Sequence, residues 1–131
     1  MADNDQLQVE LVAADRTVWS GQATMVIART TEGDVGVLRN HAPLLSRLVP
    51  GVVESSAAVG DDQVAAVDGG FISVAANRVS ILSEHAVLSH EIDVEQARSE
   101  LEAASAEGDD EEAQARAQRA EARVRAVERT S

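Results

Sequence analysis

Three histidines, one proline-flanked loop and a dense set of carboxylates are the residues of this chain with chemistry to offer. The histidines are His41, His85 and His90. "HAVLSH" separates the last two by five positions, which is not the spacing of two ligands on one helical face, and there is no HxH, HExxH or CxxC. They read as exposed or hydrogen-bonded residues at strand ends. The chain has no cysteine, which removes thiolate metal sites, disulfides and cysteine nucleophiles together. Walker A, GxGxxG and GxSxG sequences are absent as well. The acidic run "EGDDEE" (107–112) lacks the positional pattern of an EF-hand and reads as a solvated loop. No catalytic or metal-binding constellation emerges, and no cofactor is expected.

What stands out instead is "GDVGVLRNHAPLLSRLVPG", Gly33–Gly51. It holds both prolines, three of the eight glycines and one of the three histidines. Gly33 and Gly36 permit tight backbone, and Pro43 and Pro50 interrupt sheet pairing. "NHAP" reads either as turn chemistry alone or as a stiff recognition loop.

The elements that must carry such a loop follow from composition. The net charge is −12, and every cation is arginine. Such charge argues against nucleic acid and anionic lipid as partners. One Trp, one Phe and no Tyr leave little for base stacking. The start "MADNDQLQVE" has no apolar signal region, and no run approaches a membrane span.

Fifteen of the eighteen valines precede Leu88. "LQVELVAA" alternates, with Leu7, Val9 and Leu11 on one face. "SGQATMVIART" reads as strand with Gly21 as a turn or bulge. "DVGVL", "GVVESSAAV" (51–59) and "QVAAVDGGFISVAANRVSILSEHAVL" add further strands. "GDD" (60–62) punctuates them, and "GG" (69–70) and "NR" (77–78) mark hairpin points. Short strands at this spacing indicate an antiparallel sandwich or barrel.

After Leu88 the pattern becomes helical. Asp93 is an N-cap with Gln96 three residues on, and Val94, Ala97, Leu101 and Ala104 form a stripe. Gly108 ends that helix, and Asp109 or Asp110 caps a second, whose stripe is Ala113, Ala117, Ala120, Val124 and Val127. An alanine seam buries little area, so the pairing of the two helices is expected to be weak. Charge divides here too: Ser89–Glu112 carries ten acidic residues against Arg98, and Ala113–Ser131 carries five arginines against two glutamates. The fold expected is α+β, with a β-sandwich over 1–88 and an antiparallel two-helix hairpin over 89–131.

"EGDVGVLRNHAPLLSRLVPG" followed by "DGGFISVAANRVSILSEHA" resembles the epsilon subunit of bacterial F1Fo ATP synthase, and the resemblance spans essentially the whole chain. It implies a non-catalytic central-stalk subunit whose sandwich binds the gamma subunit and rests on the ring of c subunits. Such a subunit couples proton-driven rotation to ATP synthesis. It is peripheral on the cytoplasmic side of the bacterial plasma membrane and meets the membrane only through the ring.

The resemblance places Asp34 against polar c-ring loops, and Arg39, Asn40, His41, Ala42 and Pro43 in the adjacent loop. Arg39 stands where relatives usually carry proline, which loosens the loop and adds a charge. The resemblance also implies a regulatory hairpin that permits turnover when folded on the sandwich and inhibits ATP hydrolysis when extended into the alpha–beta hexamer. Asp93, Arg116, Arg119 and Arg123 are its candidate residues, the three arginines facing acidic surfaces of the hexamer. Some relatives bind ATP through [IL]-D-x-x-R-A. Here "IDVEQA" puts Gln96 in the arginine's place, without the charge or planar donor fork suited to phosphate, so tight ATP binding is not expected. The alternative reading is a β-sandwich interaction module of another complex.

Overall fold

A computed structural model describes residues 6–57, 60–108 and 110–130. Ten strands are followed by two helices: β1 (Leu7–Val12), β2 (Thr17–Ala23), β3 (Met25–Thr30), β4 (Gly33–Leu38), β5 (Leu44–Leu48), β6 (Gly51–Ser56), β7 (Gln63–Val67), β8 (Gly70–Ala75), β9 (Arg78–Leu82), β10 (Ala86–Leu88), α1 (Val94–Ala106) and α2 (Glu111–Thr130). A 3₁₀ turn, Ser89–Glu91, joins the two parts.

The strands run β10-β7-β6-β3-β5-β8-β9-β1-β2, with β4 on the free side of β3. The middle of this path is thin: β3 and β5 meet only at Thr30 and Leu48. The path folds there, laying β4-β3-β6-β7-β10 over β5-β8-β9-β1-β2, and β10 returns beside β2. The result is the expected sandwich, close to a closed barrel. Its pairings are antiparallel except that of β1 with β9.

Alternation dictates the core. Leu7, Val9 and Leu11 point inward while Gln8 and Glu10 are exposed. Val26, Val37, Ile72, Val74, Val79 and Ile81 complete the interior, none more than 2% exposed. The helices follow their signals. Asp93 caps α1 by accepting from the Gln96 amide at 3.1 Å. Gly108 has the positive φ of a helix-ending residue, and Asp110 caps α2 by accepting from the Ala113 amide at 2.7 Å.

Three local expectations change. Gly21 is neither turn nor bulge: it lies inside β2 opposite Val9, and the chain breaks pairing at Thr24 instead. Its missing side chain makes room for Trp19, whose Cζ2 would stand 2.7 Å from an added Cβ. "GG" is not a hairpin. β7 pairs with β6 and β10, whereas β8 pairs with β5 and β9, so Gly69 and Gly70 carry the chain from one layer to the other. At "NR" a hairpin does form, but its turn is Ala76–Asn77, both with positive φ, and Arg78 opens β9. The sixth strand ends at Ser56; Ala58, Val59 and the alternative cap Asp109 lie outside the described residues.

Stripe positions Ala97, Ala104, Ala113, Ala120 and Val124 are buried. So are Ala122 and Ala126, which the stripe omitted. At about 100° per residue these two lie roughly half a turn away from Ala113, Ala120 and Val124. They pack on Val64 and Ala66 of β7. Helix α2 therefore has two small-residue faces and lies between α1 and the β6–β7 surface.

Candidate functional site

The Gly33–Gly51 segment does not gather its residues at one place. Arg29 and Asp34 face each other across β3 and β4, and the Arg29 Nε donates to Asp34 Oδ1 at 3.1 Å, both side chains exposed. The adjoining turn is held by Thr30, whose Oγ1 donates to the Gly33 carbonyl at 2.8 Å and accepts from the Glu32 amide at 3.1 Å. Arg39–Pro43 lies at the other end of β4, roughly 15 Å away along the strand. There Asn40 adopts a positive φ and its amide donates to Asn77 Oδ1 at 2.6 Å, tying the loop to the β8–β9 turn. The His41 amide donates to the Leu38 carbonyl at 3.1 Å, and its Nδ1 lies 2.6 Å from the Ala42 carbonyl oxygen. Arg39, Ala42 and Pro43 are exposed. Antiparallel pairing separates Asp34 from Asn40–Pro43, although they are neighbours in sequence.

A second surface had no place in the motif reading. On the outer face of β5-β8-β9, Leu45 is 73%, Leu82 50% and Phe71 44% exposed. Phe71 pairs with Arg47 on one side and Leu82 on the other, and the Arg47 guanidinium lies 5.7 Å from the ring centre. The signal was available in phase. Ile72, Val74, Val79 and Ile81 are the inward set, so Phe71 and Leu82 are apolar residues on the polar beat of their strands. Adjacent apolar residues on a solvent face of this kind mark an interaction surface.

The regulatory candidates are brought together, each with a partner. Arg116 meets Glu107 at 2.6 Å, Arg123 meets Glu100 at 2.8 Å and Arg119 meets Asp68 at 3.2 Å. Arg129, absent from the candidates, pairs with Glu54 of β6. The hydrogen bond that Arg116 donates to the Glu107 carboxylate holds its guanidinium above the ordinary range, while Arg116 Nε is buried without a partner.

At the junction, Arg16 grips Glu91 with two bonds, 2.9 and 3.1 Å, and the Leu88 amide also donates to Glu91 at 2.9 Å. The Arg16 bond first, and the Leu88 amide after it, pull the Glu91 carboxyl below its usual range. Gln96 lines an open cleft with Asp93, Glu91, Glu100 and Arg123. Three carboxylates against one guanidinium make this a poor seat for a polyphosphate.

The family description "ATP synthase, Delta/Epsilon chain, beta-sandwich domain" matches residues 6–89. The chain belongs to the ATP synthase delta/epsilon family. The ATP synthase epsilon chain of Streptomyces avermitilis is 56% identical over 96 residues, 73% of this chain and 77% of that one. That of Rhodococcus opacus is 53% identical over 97 residues, 73% and 80% of the two chains. Among solved structures, a chain of the Euglena gracilis mitochondrial ATP synthase (OSCP/F1/c-ring) superposes with a TM-score of 0.77 at 28% identity, covering 96% of this chain and 81% of that one. A chain of the Tetrahymena thermophila central stalk and c-ring, at 17% identity and a TM-score of 0.59, shares the fold.

As a delta/epsilon chain the protein is a non-catalytic central-stalk subunit of the membrane-associated ATP synthase. Among the described residues no helix is long and apolar enough to cross a membrane.

Proposed function

We propose that residues 1–88 dock this subunit on the rotor and that residues 89–131 regulate hydrolysis. The outer face of β5-β8-β9 is the seat for the gamma subunit. Leu45, Phe71 and Leu82 supply the apolar centre, and Arg47 supplies a polar, cation-bearing edge. Asp34 and the Asn40–Pro43 loop, at opposite ends of β4, contact polar loops of the c ring and the neighbouring stalk surface. Rotation of the ring is thereby transmitted through a stiff sandwich to the hexamer. The subunit sits on the cytoplasmic side of a bacterial plasma membrane and reaches it through the ring alone. The hairpin folds back on the sandwich during synthesis and extends toward the alpha and beta subunits to restrain hydrolysis.

The exposed apolar face on a family sandwich is the observation that carries the docking role. Reconstitution tests both roles: F1 lacking this subunit is supplied with the full chain or with a chain ending at Leu88. Binding by both with inhibition only by the full chain is expected. Equal ATPase rates would reduce the hairpin to a structural appendage, and failure of the full chain to bind would end the docking assignment.

A further inference from the structure

We infer that Asn77 is a positioning residue for the Arg39–Pro43 loop: it latches the peptide between Arg39 and Asn40, so that His41 meets a partner through its Nε2 as a hydrogen-bond acceptor. The docking purpose rests on the reading of this loop proposed above; the latch itself rests on geometry.

Leu38 to His41 is a turn, closed by the His41 amide donating to the Leu38 carbonyl at 3.1 Å. Arg39 and Asn40 fill its centre, and Asn40 has a φ of +66°. The peptide joining the two central residues is the one that flips between the common turn types, and its orientation decides the sign of φ at the third position. Proline at the second position stiffens such a turn, and glycine at the third takes a positive φ without strain. This chain has neither there. Instead the N–H of that same peptide, the Asn40 amide, donates to Asn77 Oδ1 at 2.6 Å.

Asn77 is itself firmly held. β5 begins with Leu44 opposite Val74, which brings the loop beside the β8–β9 turn. Ala75 pairs with Arg78 across that turn, and Ala76 and Asn77 between them have φ of +51° and +62°. A two-residue hairpin needs two such left-handed residues, and asparagine is among the few side chains that suit one. The Asn77 carbonyl also accepts from the Gln8 amide at 2.8 Å, which ties the residue to β1. An acceptor fixed by a tight turn and a neighbouring strand thus selects one orientation of the Arg39–Asn40 peptide.

The state of His41 follows. Its Nδ1 lies 2.6 Å from the Ala42 carbonyl oxygen, which can only accept, so Nδ1 carries the ring proton. The neutral imidazole then offers Nε2 as an acceptor, and the matching group on the partner is an N–H or O–H donor. Arg39, Ala42 and Pro43 are exposed around the ring and add a cation and an apolar edge.

Asn77→Gly removes the acceptor and leaves a residue that suits the left-handed backbone, so the urea midpoint of the full chain should stay near the native value. Amide hydrogen exchange by NMR should show Asn40 exchanging at least about tenfold faster in that variant. Asn77→Asp keeps an acceptor oxygen and should restore protection. Ala76→Gly alters the turn but not the latch and should leave Asn40 protected. At about pH 8, nitrogen shifts of the native imidazole should place the His41 proton on Nδ1. Binding to F1 lacking this subunit should weaken about three- to tenfold with Asn77→Gly, because the loop must then be ordered on docking, and recover with Asn77→Asp. His41→Phe should weaken binding at least as much while Asn40 stays protected.

Asn40 exchange unmoved by Asn77→Gly would overturn the latch, and a ring proton on Nε2 would overturn the acceptor. Faster exchange with unaltered binding to F1 would uphold the latch and remove the docking role of the loop.

Discussion

Replacing Leu45, Phe71 and Leu82 together by threonine should separate docking from folding. Threonine is β-branched and suits a strand, so the sandwich itself should lose about 2 kcal/mol, from the halves of Phe71 and Leu82 that it already buries. The loss to an interface is larger. Full burial of a Leu or Phe side chain contributes roughly 1.5–3 kcal/mol. With Leu45 73% exposed, about 1.5–2 kcal/mol is open to a partner, and Phe71 and Leu82, near half exposed, offer about 1 kcal/mol each. The Phe71 change also removes the ring beneath Arg47. Ordering costs at interfaces consume part of such gains, so a net loss of about 2–3 kcal/mol is expected, on the order of 100-fold in Kd. Titration calorimetry of the variant against the gamma subunit measures this, with Glu10→Gln on a neighbouring strand as control and urea midpoints as the check on folding. A change under about fivefold with the fold intact would refute the assignment of this face.

Gly70→Ala should cost at least about 3 kcal/mol in urea unfolding, because φ is +106° and the added Cβ would lie 1.9 Å from the Leu82 carbonyl oxygen; a loss under about 1 kcal/mol would mean that the layer crossing relaxes freely. Ala126→Leu should leave far-UV helicity intact while unseating α2, since Ala126 is fully buried against Val64 and Ala66; an unchanged distance between dyes at Thr31→Cys and Gln118→Cys, both exposed positions, would contradict that. The Glu91 carboxyl is lowered in the folded chain, so its bond to Arg16 stabilises above the ordinary carboxylate range and loses that effect as pH falls through the folded value. The difference in urea midpoint between the native chain and Glu91→Gln should accordingly be present near pH 7 and shrink below about pH 4; a difference that persists in acid would assign Glu91 a purely steric role.

Local chemistry was legible wherever one residue decides the backbone. Asp93, Gly108 and Asp110 fixed the helix ends in the places their types demand, and Leu7, Val9 and Leu11 announced an inward face by alternation. What stayed hidden depends on partners distant in the chain. "GG" has the same local chemistry whether a strand turns back or crosses to another layer, and only the backbone of Leu82 and Ser83, twelve or more residues on, distinguishes the two. Alanine is equally at home buried or exposed, so the second face of α2 at Ala122 and Ala126 left no mark in the pattern. Arg116, Arg119 and Arg123 read as one row for one distant surface. In the folded chain they divide between hairpin and sandwich, because the row straddles the boundary between the two faces of α2. The proline-rich segment looked like a single loop cluster, and six residues of β4 hold its two ends apart.

The parallel pairing of β1 with β9 has a consequence for how the chain is made. Gln8 lies opposite Arg78 and Val12 opposite Leu82, so β1 has an open flank until some seventy further residues have been made. Contacts of that span slow folding and leave an apolar strand waiting. Leu7, Val9 and Leu11 must be sheltered until then, and a chain stopped before Leu82 cannot complete the pairing of β1. The hairpin escapes this constraint, since its two helices are adjacent in sequence and α2 can settle only on a sandwich already finished. Synthesis order thus delivers the strands of the sandwich before the helices that pack on it.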